Sequence, residues 1–154
     1  MSGTVDQRMN ELGITLPAPP KPLGAYVETV QVGSLLFLSG ALPVEGGAPK
    51  FTGRLGDDID VQQGREAAKL AVLNALALAR QSLGSLDAVA RVVRLKVSLA
   101  TTPEFRDHAK VADGASEVLA GIFGKEKTST RMVAGVVSLP AGVCAVVELV
   151  LAIG

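Results

Sequence analysis

The closing segment VCAVVELVLAI constrains the fold more than any other part of the chain. Residues of an extended strand alternate between two sides. Val147, Leu149, Leu151 and Ile153 then share one side, and Cys144, Val146, Val150 and Ala152 share the other. A strand that is apolar on both sides has to be covered on both. The rest of the sequence offers two long helical segments, enough for one face of a sheet. The second face calls for other cover, and another copy of the same chain is the plainest source. A helix from the N-terminus is the rival, but it is too short to span a whole sheet.

The helices and the remaining strands are legible upstream. Val61 to Leu83 is rich in Ala and Leu and has no interior proline. Asp57, Asp58 and Asp60 offer capping acceptors and negative charge at its start, and Gly84 a stop. Glu104 to Phe123 sets Val111, Ala115, Val118, Leu119 and Ile122 on one helical stripe, with Gly124 as the stop. Between them RVVRLKVSL alternates, with Val93, Leu95, Val97 and Leu99 on one side and Arg94, Lys96 and Ser98 on the other. AYVETVQV and LLFLSG flank Gly33-Ser34 as a hairpin, and a glycine-rich excursion runs from Glu45 to Gly56. TRMVAGVVSL meets the closing strand through Leu139-Pro140-Ala141-Gly142. Residues 1–24 differ: Val5, Met9 and Leu12 have helical spacing, and LPAPPKPLG favours an extended strap. The expectation is an arm over 1–24 packed on a single α+β domain over 25–154.

Composition narrows the function classes. The chain of 154 residues is 48% hydrophobic but only 3% aromatic, so its core is built from Val, Leu, Ala and Ile. That length suffices to bury roughly 70% of the unfolded surface. Fifteen basic residues balance fifteen acidic ones, which gives no global field to draw nucleic acid or an anionic membrane. The single cysteine, Cys144, fits a reducing compartment, and with His108 as the sole histidine no metal site of several Cys or His residues is available. No run of about 18 apolar residues spans a bilayer, and the N-terminal stretch lacks the pattern of a secretion signal. The expected location is the cytoplasm.

Three local patterns point further. Tyr26 precedes a strand that leads to Ser39, Gly40 and Pro43 in LLFLSGALP; Arg131 opens a strand; and Leu139-Pro140 follows eight residues later. With the order strand–strand–helix–strand–helix–strand–strand, these resemble the reactive-intermediate deaminase family (Rid or YjgF, endoribonuclease L-PSP-like) over about residues 22–154. The opening ELGITLPAPPKP resembles a long-armed subgroup of it. The resemblance implies a chorismate-mutase-like fold, a mixed sheet with two helices on one face, and homotrimers with clefts between subunits. It implies no cofactor and no metal. The implied reaction is hydrolysis of enamines and imines such as 2-aminoacrylate to a 2-keto acid and ammonia.

The same resemblance assigns roles. Arg131 would clamp the substrate carboxylate by two parallel hydrogen bonds. Tyr26, Ser39, Gly40 and Val133 would complete the substrate site, the serine and glycine mainly through backbone. The closing strand departs from the pattern, because Val146 stands where deaminases of the family carry a water-orienting glutamate. Glu148 lies two residues on, on the same side and about 6.5–7 Å farther along. Either it supplies the carboxylate by a local shift, or the reaction is impaired; its bland role is a buried ion pair with Arg94 or Lys96. Asp113, His108 and Cys144 need no site role: a helix-surface acid, a solvent-facing histidine and a small hydrophobe.

Two further function classes stay open. One is a binding or regulatory module that keeps the carboxylate clamp but has lost turnover. The other is the endoribonuclease or translation inhibitor of older family names. One histidine cannot form a His–His acid–base pair, and four phenylalanines with one tyrosine make a poor stacking platform.

Overall fold

The computed structural model describes residues 3–154; Met1 and Ser2, at the tip of the expected arm, lie outside the described residues. Strands β1 (Thr29–Val32) and β2 (Leu35–Leu38) form the expected hairpin, with Gly33 at φ +59° in its turn. A two-stranded ribbon follows, β3 (Val44–Glu45) and β4 (Ala48–Pro49), within the glycine-rich excursion. Helix α2 (Val61–Leu83) has the expected bounds. Asp60 caps it by accepting from Gln63 N, while the Gln63 side chain returns to the Asp60 N–H, and Gly84 ends it at φ +83°. Strand β5 (Val89–Ala100), helix α3 (His108–Phe123), and strands β6 (Thr130–Val136) and β7 (Ala145–Ile153) complete the chain.

The sheet runs β1-β2-β7-β5-β6. Only β5 and β6 pair in parallel, and α3 provides the crossover that a parallel pair requires. The fold is therefore α+β with a mixed sheet, α2 and α3 lying on one face. Ala145, Val147, Leu149 and Leu151 of β7 are buried beneath α2, and Leu95, Val97 and Leu99 of β5 are buried on the same face, where α3 packs on β5. The alanines of α2, from Ala67 to Ala79, let that helix lie close. Gly114 of α3 is required at the helix crossing, since a Cβ there would strike the backbone of Arg65.

Two sequence expectations shift. Val92, not Val93, joins the buried row of β5, because the register with β7 slips between Val92 and Arg94 and Val93 is bulged out. Helix α3 begins at His108 rather than Glu104, as Pro103 to Asp107 form a turn in which Phe105 N bonds to Thr102 O.

The short helix α1 (Val5–Glu11), capped by Thr4, buries Val5 and Met9. It packs against α3, where Arg8 Nε donates to Ile122 O at 2.6 Å, and Val5 N donates to Asp87 Oδ1 at 2.8 Å. It lies on the helical side, so the rival cover for the second sheet face is removed. Among the described residues no helix is long and apolar enough to cross a membrane.

Candidate functional site

The expected site residues fall into two groups at opposite ends of the sheet. Tyr26 leads into edge strand β1, and Ser39 and Gly40 follow β2. All three line one cavity of about 590 Å³ with the proline strap. The Tyr26 hydroxyl accepts from Leu23 N at 3.0 Å, which fixes the turn between strap and strand. Gly40 sits over β7: a Cβ there would lie 3.0 Å from Val146 Cγ1, so a side chain at 146 borders this group directly.

Arg131 stands on the other edge, in β6. Its register partner is Leu95, which places its side chain on the helical side of the sheet. There NH1 donates to Asp113 Oδ1 at 2.7 Å and to Ser116 Oγ at 3.1 Å, and the guanidinium lines a cavity of about 340 Å³ with Ser116, Leu119, Thr128 and Ser129. Asp113 thus has a defined partner, contrary to its reading as a surface acid without a role. Val133, two residues along, pairs with Val97 and is half-buried against the core. Three strand spacings separate β2 from β6, roughly 14 Å, so one chain does not bring Arg131 to Tyr26, Ser39 and Gly40.

Glu148 lies on the open face of β7, exposed, directly opposite Lys96 of β5. No ion pair joins it to Lys96 or Arg94 among the described residues. The buried ion pair foreseen for it is absent among the described residues, because none of them covers this face. Val30, Val32, Phe37 and Met132 share that face and are exposed too.

The other singled-out groups are structural. Cys144 is fully buried, and burial pushes its thiol up to about 11, which leaves no thiolate at neutral pH. His108 is half-buried rather than solvent-facing: its ring meets Phe105 edge-on at 5.2 Å, and it packs so near Gly135 that a Cβ there would lie 2.7 Å from Nε2. Among the described residues no cluster of His, Cys, Asp or Glu could hold a metal.

Comparison with known proteins settles the kinship. Residues 6–152 match a family model described as "YjgF/chorismate mutase-like, putative endoribonuclease". The chain belongs to this family. Protein TCP17 of Trypanosoma cruzi is 37% identical over 148 residues, covering 96% of this chain and 92% of that protein. A Shewanella oneidensis protein described as a "putative endoribonuclease" superposes with a TM-score of 0.94 at 33% identity, over 98% of this chain and 100% of the other. Atu1372 of Agrobacterium tumefaciens, a protein of unknown function, gives 0.90 at 34% identity, over 97% and 92%.

The YjgF match begins at residue 6 and so extends over most of the arm, beyond residues 22–154 of the domain resemblance, and takes in ELGITLPAPPKP, which resembles the long-armed subgroup. Sequence reasoning also missed Asn74, whose signal was a lone amide amid the apolar run AVLNALALA of α2. Asn74 Nδ2 donates to Leu42 O at 2.8 Å and to Val44 O at 2.9 Å. It ties the segment after Gly40 to α2, and so positions the Tyr26 group within this YjgF fold.

Proposed function

We propose that this protein binds 2-imino and 2-keto acids in a cleft where copies of the chain meet, and hydrolyses the imines. The split of the site carries this reading. Arg131 occupies one edge of the sheet, Tyr26, Ser39 and Gly40 the other end, and an uncovered apolar face lies between strands β1 and β6. Copies packed around that face would cover it and meet edge to edge, which brings one chain's arginine, on the helical side of β6, to the other chain's backbone groups at the β1–β2 edge. A closed ring of three, the assembly implied by the family resemblance, satisfies every face equally.

The chemistry asks little of the protein. Arg131 keeps guanidinium donors beyond the NH1 hydrogen bonds to Asp113 and Ser116, and these hold the substrate carboxylate. Water adds to the electrophilic iminium carbon and gives a carbinolamine. A proton moves from the added water to nitrogen, the C–N bond breaks to release ammonia, and the remaining hydroxyl proton passes to it, giving ammonium and the 2-keto acid. A carboxylate that orients the water raises the rate.

A specific observation favours a second reading, binding without efficient turnover. Val146, against Gly40, cannot orient water, and Glu148 lies two residues away opposite Lys96. The nuclease reading draws no such support, since the lone His108 is packed against Gly135 and the chain has no net charge.

Calorimetry with pyruvate tests the clamp. Arg131→Ala should lose on the order of 2–4 kcal/mol of binding, and equal affinity for both proteins would remove Arg131 from the site. Ammonia release from freshly generated 2-aminoacrylate and 2-iminobutyrate tests the reaction. Light scattering should give about three times the 15.8 kDa chain mass; a monomer sinks the shared cleft.

A further inference from the structure

The cavity of about 590 Å³ beneath the strap is far larger than a three-carbon enamine needs. Spaces of about 300–1,000 Å³ accommodate drug-sized ligands. Pro17, Pro20 and Leu23 of the strap line one side, and Leu42, Val44 and Leu78 line the body of the domain. Lys21 and Glu28 also border it.

One buried polar group faces this apolar space. Asn74 is 1% exposed, and no other polar side chain among the described residues is buried. Its amide orientation is dictated, because only an NH2 group satisfies the two carbonyls of Leu42 and Val44. The Oδ1 therefore turns away from both. Among the described residues no donor reaches it. Yet among the described residues no side-chain oxygen is both sealed and unpartnered, so this one opens on space rather than on packed atoms. A nearly buried acceptor without a partner is a site for a ligand's donor.

The strap allows access. Among the described residues no backbone hydrogen bond ties residues 15–22 to the rest of the chain. Leu16, which is buried, and the Leu23–Tyr26 hydrogen bond hold it instead. It can part from the domain without breaking a ladder of hydrogen bonds.

We propose that this cavity receives the substrate's side chain, and that the substrates are 2-imino or 2-keto acids with a bulky apolar side chain carrying one N–H or O–H donor. The donor meets Asn74 Oδ1, while Ser39 and Gly40 lie at the same cavity near the reacting carbon. This rests on the site reading above for the carboxylate end alone.

The test uses stable 2-keto acids as stand-ins for the imines: pyruvate, indole-3-pyruvate and its N-methyl derivative, each titrated calorimetrically into the wild type, Val44→Trp and Arg131→Ala. Burying the indole should make indole-3-pyruvate bind about thirtyfold or more tighter than pyruvate. N-methylation should forfeit about fivefold or more of that. Val44→Trp fills the cavity, so it should abolish the advantage of indole-3-pyruvate over pyruvate measured on the same variant; Leu42→Trp replaces it should that variant fail to fold. Indole-3-pyruvate no tighter than pyruvate, or unaffected by both tryptophans, overturns the cavity assignment. Equal binding of the N-methyl compound overturns the role of Asn74. If the aromatic preference holds while Arg131→Ala changes nothing, or no ammonia is released from any imine, the clamp or the reaction falls and the cavity assignment stands.

Discussion

The two faces of the sheet differ in what covers them among the described residues. On the helical face, Val147, Leu149 and Leu151 lie against α2 and Leu95, Val97 and Leu99 lie where α3 packs on β5, each at most 1% exposed. That face is complete within one chain. On the other, Val30, Val32, Phe37 and Met132 range from 42% to 61% exposed, and the charged Lys96 and Glu148 sit opposite each other in the middle. Both faces have strand-like apolar alternation; only one has its cover in the chain. The same β7 thus serves stability through its odd-numbered residues and, in our reading, assembly and chemistry through its even-numbered ones.

The largest effect that could break this comparison is on folding. Leu149→Ala should cost about 2–5 kcal/mol, since it removes a fully buried side chain from a packed layer, and urea denaturation measures it. Phe37→Glu should leave the intrachain core intact, yet shift the light-scattering mass to that of one chain and abolish any dependence of the melting temperature on protein concentration. If Phe37→Glu unfolds the dilute chain as severely as Leu149→Ala, the open face is part of the chain's own core and the distinction fails.

The next effect concerns the two even-numbered residues of β7. Val146 borders Gly40, whereas Glu148 lies farther along the open face. Val146→Glu should raise imine hydrolysis by about 10²–10⁴-fold with pyruvate affinity nearly unchanged, because a positioned carboxylate orients the water and Arg131 is a separate group. The opposite assignment makes Glu148 the working carboxylate. It then predicts that Glu148→Gln abolishes turnover and that Val146→Glu adds little through like-charge crowding. Both variants are compared only as intact assemblies, checked by light scattering. If neither alters hydrolysis, β7 has no part in the reaction and the binding module remains.

What the sequence disclosed follows the range of the signal. Helix α2 was legible to the residue, since its cap at Asp60, its alanines and Gly84 are all local. The alternation of β7 was legible too, and with it the need for second cover. The bulge that exchanges Val93 for Val92 was not, because it is set by the register with β7 rather than by the pattern of β5 itself. The site shows the same limit. Arg131 was found through a motif, but its partners Asp113 and Ser116 are on α3, 18 and 15 residues away, and only the β5–α3–β6 crossover brings them together. Asn74 was missed although it is a lone polar residue in an apolar run, because its purpose lies in carbonyls 32 and 30 residues upstream.

The smallest effect sharpens the comparison at the sheet edge, where Arg131 is already engaged within its own chain. Asp113 and Arg131 side chains are 47% and 28% exposed, so their ion pair is partly screened and contributes about 0–1 kcal/mol. A ligand carboxylate on the remaining guanidinium donors would lie beside the negative charge of Asp113. Asp113→Asn keeps the shape and an acceptor for NH1 but removes that charge. Pyruvate should then bind about three- to tenfold tighter, and the gain should shrink as salt is raised. A second readout separates competition from catalysis. Were Asp113 to orient the attacking water, the same substitution would lower ammonia release from 2-aminoacrylate even as binding tightened. Were pyruvate to bind more weakly, the ion pair would be what holds Arg131 in its binding pose. The edge would then be preorganised within one chain, as the helical face is, rather than left for a second copy to complete.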